Sequence, residues 1–192
     1  MNMFTHISLP LFLILSGCGL FDADPKPLEP IENFFYAEIN NEAFTANYVS
    51  AGIETARGHD FLEFGGSYKS EELFPYSEKI ILSLIYDEET TTYPLYNDAT
   101  LTKEMGFRIP GGSYNEKDGD VIITRFEFPT DSEGFVTIEL EELEDGRKTI
   151  SGTFEMTVYL SFRIDTACPQ QEQDTLHITN GRYLMELNDR RE

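Results

Sequence analysis

The stretch Ile150-Ser-Gly-Thr-Phe-Glu-Met-Thr-Val-Tyr-Leu-Ser-Phe-Arg-Ile164 decides the fold class. Its even positions are Ile150, Gly152, Phe154, Met156, Val158, Leu160, Phe162 and Ile164, while the odd positions carry Ser, Thr, Glu, Tyr and Arg. Successive side chains of a strand point to opposite faces, so this alternation reads as one long strand with one buried face. At about 3.3 Å per residue it spans roughly 45 Å, too long to stay flat in a small domain. Gly152 is the expected bend, so the strand either serves two sheets or coils around a barrel, with Phe154, Met156 and Phe162 inward.

The neighbouring segments follow the same period. Phe34–Ile39 and Phe44–Val49 flank Asn40-Asn41, a hairpin turn that works because Asn accepts positive φ. Phe61–Tyr68, Lys79–Tyr86, Gly106–Ile109, Val121–Phe128 and Phe135–Leu140 are further strand candidates, with Asp118-Gly119 and Asp145-Gly146 as turns. Thr175–Leu187 changes parity in mid-course: Leu176 and Ile178 share one face, Tyr183, Met185 and Leu187 the other. A bulge at Asn180-Gly181 would restore a common inward side. A short helix is expected only near Ser70–Leu73. The expected fold is all-β: a single-domain antiparallel β-sandwich or barrel of about eight to ten strands, with a closed calycin- or lipocalin-like barrel as the alternative.

The amino terminus gives an address. Ile7–Leu15 is an apolar run of signal-peptide length, short of the about 20 residues a membrane-spanning helix needs. It closes on Leu15-Ser16-Gly17-Cys18, which resembles the lipobox of bacterial lipoproteins. The resemblance implies recognition of Leu15, Ser16 and Gly17 by the signal peptidase, cleavage before Cys18, and a diacylglyceryl group on the Cys18 thiol. Each buried methylene of such a group contributes about 0.8 kcal/mol, so several acyl chains hold a protein at a membrane. Residues 19–33, with Pro25, Pro27 and Pro30, read as an extended tether. The expected organisation is a signal peptide over 1–17, the lipidated cysteine and Pro-rich tether over 18–33, and the β-domain over 34–192. No inner-membrane retention signal stands at Gly19, so the expected location is the outer membrane of a bacterial cell envelope.

Phe44-Thr-Ala46, Gly134-Phe-Val-Thr-Ile138, Ile150-Ser-Gly-Thr-Phe154 and Ile178-Thr-Asn-Gly-Arg-Tyr183 together resemble a group of uncharacterised lipoproteins of Bacteroidota-type bacteria. That resemblance implies a single β-rich domain on a lipid tether, and it brings no catalytic residues.

Charge excludes one class of partner. The chain holds 35 acids against 14 bases, a net charge of −21, which repels nucleic acid and anionic headgroups alike. The acids serve solubility or a loose accumulation of divalent cations. Asn115–Asp120 fails as a calcium loop because Lys117 stands where a ligand should be. The Glu139, Glu141, Glu142, Glu144, Asp145 group reads as a strand's solvent face and turn. His59 and His177 lack zinc-ligand spacing, so no metal and no cofactor are expected.

No catalytic residues emerge. Gly66-Ser67 and Gly112-Ser113 lack the nucleophile-elbow pattern, and Asp165-Thr-Ala167 departs from the aspartic-protease signature at Ala167. With Cys18 lipidated, Cys168 is the remaining thiol, whether buried, reactive or paired between chains. Tyr93, Tyr96 and Tyr114 are the candidate binding residues, as loop tyrosines that contact a ligand or as core fillers in a chain without Trp. The expectation is a non-enzymatic binding or structural module with an envelope protein or a small molecule as partner. The alternatives are a barrel holding a small hydrophobic ligand and, behind it, a hydrolase.

Overall fold

The computed structural model describes residues 28–73, 75–95, 111–128, 134–164 and 173–191. Leu15, Ser16, Gly17 and Cys18, the tether up to residue 27, the strand expected at Gly106–Ile109, Tyr96 and Cys168 lie outside them. The described chain is all-β and forms one mixed sheet of twelve strands. In chain order these are β1 Phe34–Ile39, β2 Glu42–Thr45, β3 Tyr48–Ala56, β4 His59–Lys69, β5 Tyr76–Ile85 and β6 Thr92–Pro94. They continue as β7 Gly111–Asp118, β8 Val121–Glu127, β9 Gly134–Thr137, β10 Glu139–Glu142, β11 Lys148–Arg163 and β12 Thr175–Asp189. The expected helix near Ser70–Leu73 is a turn instead. Ser70 Oγ accepts from the Leu73 amide at 3.0 Å, and the Leu73 carbonyl accepts from Tyr76 at 2.8 Å.

The long strand β11 organises the rest. One edge pairs with β12 from Lys148 to Tyr159, and the other pairs in turn with β10, β9 and β8. β12 is shared too: β1 lies along it from Ile178 to Leu184, and β3 takes over at Leu187–Asp189. Following pairings through β12, β3, β4, β5, β7, β8 and β11 returns to β12, so the strands close a ring. Among the described residues one pairing is parallel, β3 with β12, and it makes the sheet mixed rather than purely antiparallel. It arises because the chain leaves β1's side at Ala46-Asn47 without reversing. There the Asn47 side chain and amide tie it to Ser67 and Lys69 of β4.

Two turns match their residues. Asn40 and Asn41 take φ of 50° and 69°, as a two-residue hairpin with positive φ at both positions requires, and Ile39 pairs with Glu42. Gly119 (φ 60°) turns β7 into β8. The parity change in β12 is a bulge. Phe154 opposes Gly181 while Met156 opposes Ile178, so β12 carries one extra residue at Thr179-Asn180, with Asn180 at φ 52°. Leu176, Ile178, Tyr183, Met185 and Leu187 are therefore all buried.

The core fills the ring. Phe35, Phe64, Phe154 and Tyr183 pack with centroids 4.5 to 6.4 Å apart. A Cβ on Gly112 would sit 2.2 Å from the Met156 sulfur, so β7 approaches β11 closely there. At Gly152 a Cβ would fall 1.9 Å from the Thr137 carbonyl oxygen. That glycine admits the close approach of Thr137 at the end of β9. Phe162 departs from expectation. Ser161 is an extra residue of β11 against β8, which reverses parity and leaves Phe162 45% exposed.

Candidate binding groove and buried acid–phenol cluster

The bulge in β12 shapes the outer face of four adjacent strands. On β1, Tyr36 and Glu38 point outward; on β12, Asn180 and Arg182; on β11, Thr153 and Glu155; on β9, Phe135. Register sets Tyr36, Arg182 and Thr153 in one row and Glu155 beside Phe135 in the next. These side chains line a surface groove of about 430 Å³ whose floor is Phe154 and Gly181. Gly181 has no room for a side chain, since a Cβ would lie 2.5 Å from the Phe154 ring. The Arg182 guanidinium sits 5.1 Å from the Tyr36 ring centroid, a cation–π distance. Asn180 donates from Nδ2 to Glu38 Oε2 at 2.9 Å, and the Tyr36 hydroxyl donates to Glu38 Oε1 at 3.3 Å. The groove thus offers two aromatic faces, one guanidinium and two carboxylates on rigid strands. That set can hold a ligand by stacking, charge pairing and hydrogen bonds.

The candidate tyrosines lie elsewhere. Tyr93 is 7% exposed; its hydroxyl donates to the Asp87 carbonyl at 2.5 Å and accepts from the Asp87 amide at 3.1 Å. Its ring stacks on Tyr86 with centroids 6.5 Å apart, so it pins the turn after β5. Tyr114 is wholly buried on β7. Both are core residues rather than loop contacts, because the segments that look like connections at 92–94 and 111–118 are strands. Exposed aromatics occur at Phe34, Tyr48, Tyr68, Phe135, Tyr159 and Phe162.

Tyr114 belongs to a buried polar cluster that the sequence reading passes over. Its hydroxyl lies 3.0 Å from Glu78 Oε1 and 3.4 Å from Glu116 Oε1; the Tyr76 hydroxyl lies 3.1 and 3.2 Å from the same two atoms. Burial first, then the two carboxylates, raises both phenols above their ordinary pKa. Burial also raises Glu78, against the hydrogen bonds from Tyr114 and Tyr76 that favour its charged form. The signal was present in the chain as a repeated Tyr-x-Glu, at Tyr76-Ser-Glu78 and Tyr114-Asn-Glu116.

The remaining candidates stay apart. His177 Nδ1 is 3.1 Å from Thr157 Oγ1, and His59 stands beside Phe61 at the β3–β4 turn. Among the described residues, no group of three or more His, Cys, Asp or Glu is arranged to hold a metal ion. Set against family models, curated proteins and solved structures, the chain matches none, so its assignment rests on its own residues.

Proposed function

We propose that this chain is a lipid-anchored protein of the bacterial cell envelope whose β-domain works as a non-enzymatic binding module. The observation that carries the reading is Leu15-Ser-Gly-Cys18 closing a short apolar run ahead of a Pro-rich stretch. Acyl chains on Cys18 place the domain at a membrane surface, most simply the outer membrane, while a net charge of −21 keeps its body off anionic headgroups. The groove over the β12 bulge is the contact surface in this reading, since its aromatic and charged side chains stand exposed on a hydrogen-bonded sheet. A barrel that takes a small hydrophobic ligand is less favoured, because Phe154 and Met156 pack tightly inside and Phe162 faces out.

The test crosslinks the full-length lipidated protein in membranes, through a photoreactive residue placed at Thr153 on the groove wall. One recurrent envelope partner, lost when Arg182→Glu is introduced without loss of folding, supports the reading. An unchanged crosslinking pattern in the Arg182→Glu protein removes the groove from it.

A further inference from the structure

The two Tyr-x-Glu pairs run antiparallel on β5 and β7, in a register that sets Glu78 directly opposite Glu116. Directly opposed residues of an antiparallel pair hold their Cβ atoms about 5 Å apart, and like charges there oppose pairing. Each tyrosine reaches diagonally as well as along its own strand, so four oxygens form a square. Four contacts of 3.0 to 3.4 Å join the two phenols to Glu78 Oε1 and Glu116 Oε1. Two phenols supply two protons, and an ionised carboxylate only accepts. A proton on one carboxyl supplies the third donor and removes the repulsion across the register.

Glu78 is the member placed to exchange that proton with water. Glu116 is 1% exposed, whereas Glu78 also lines a cleft of about 270 Å³ with Ile39, Glu42, Phe44 and Tyr68. The titratable groups facing Glu78 are Tyr76 on its own strand, Tyr114 and Glu116 from β7, Glu42 from β2 and Tyr68 from β4. Glu42 sits on the terminal strand of the sheet order, which among the described residues is hydrogen-bonded to β1 alone and packs against β4.

We propose that Glu78 is a proton-operated latch: it takes one proton from solvent, adds a third donor to the square it forms with Tyr76, Tyr114 and Glu116, ceases to repel Glu42, and so holds the β1–β2 hairpin against β4. Its charge goes from −1 to 0, and no other bond is made or broken. Loss of the proton sets Glu78 against both Glu42 and Glu116, and β2 loosens at its free edge. The sign follows from linkage. A carboxyl that binds its proton more tightly in the folded state stabilises the fold at low pH, and stability falls as pH rises past the ordinary glutamate range. Burial acts on Glu78 in that direction.

The experiment follows the Glu78 carboxyl by carbon NMR in the wild-type domain and records hydrogen exchange of the β2 amides across pH. Glu78 is expected to titrate above the ordinary glutamate value of about 4.3. Exchange at Glu42–Thr45, corrected for intrinsic rate, is expected to quicken through the same titration. Glu78→Gln keeps the donor and abolishes the charge, so its β2 protection should be independent of pH and its melting temperature above wild type on the alkaline side. Glu42→Gln should move the Glu78 titration down toward the ordinary value while weakening the loosening. Glu78 titrating at or below the ordinary value, or β2 protection that ignores its titration, overturns the proposal. Because NMR reads the wild-type protein, a Glu78→Gln variant that fails to fold leaves the test decisive.

Discussion

Deleting Asn180 from β12 removes the one extra residue that lets both halves of the strand face the core. Without it, one half must slip by a residue, and a one-residue slip turns every side chain to the other face. Slipping the amino-terminal half exposes Leu176 and Ile178, both fully buried. Slipping the other half exposes Tyr183, Met185 and Leu187. At about 1.5–3 kcal/mol for each large apolar side chain, the first route costs about 3–6 kcal/mol and the second about 5–9 kcal/mol. The chain takes the cheaper route, and the loss is still a large part of the about 5–15 kcal/mol by which domains are stable. With a urea slope of about 2–3 kcal/mol per molar, the midpoint should drop by about 1 M or more. The companion Asn180→Gly keeps the residue count and the positive φ, and gives up only the hydrogen bond to Glu38, worth about 1 kcal/mol. Equilibrium unfolding followed by far-ultraviolet circular dichroism separates the two. A deletion variant whose midpoint stays within about 0.3 M of wild type would refute the parity argument.

Gly152→Ala should cost about 3 kcal/mol or more in the same unfolding assay, because its Cβ would fall 1.9 Å from the Thr137 carbonyl oxygen at the end of β9. Gly146→Ala, at φ 81° with nothing within 4 Å, should cost only about 1 kcal/mol. Asp189 accepts from Arg191 and Lys148 at 2.8 to 2.9 Å, which holds its carboxyl well below the usual range. Its contribution is therefore present above the ordinary aspartate value of about 3.9 and fades as pH falls below it. Asp189→Asn should lose about 1–2 kcal/mol at pH 7 and progressively less as pH falls below about 3.9, measured by melting temperature across pH.

The fold was legible wherever one strand face is apolar and its turns carry the needed φ. β11 announced itself by alternation, the bulge in β12 by a parity change at Asn180-Gly181, and the first hairpin by two adjacent asparagines. β7 was not legible. Its buried residues include Asn115 and Glu116, so a buried strand reads as a polar loop, and only pairing with β5 and β8 defines it. Tyr93 and Tyr114 were assigned to connections for the same reason. β6 spans three residues, too few to show a period. Phe162 continues the alternation of β11 on paper, yet the extra residue at Ser161 depends on the register of β8, which local sequence does not carry. The groove and the acid–phenol square both join residues far apart in the chain. Their composition was visible, but their assembly depends on which strands lie side by side.

The lipid anchor is the premise on which the proposed function stands, and intact mass spectrometry of the membrane-extracted mature protein tests it. The expected product begins at Cys18 and carries the added mass of a diacylglyceryl group, with residues 1–17 gone. A mature chain that keeps its first 17 residues, or one with an unmodified thiol at Cys18, would contradict the account.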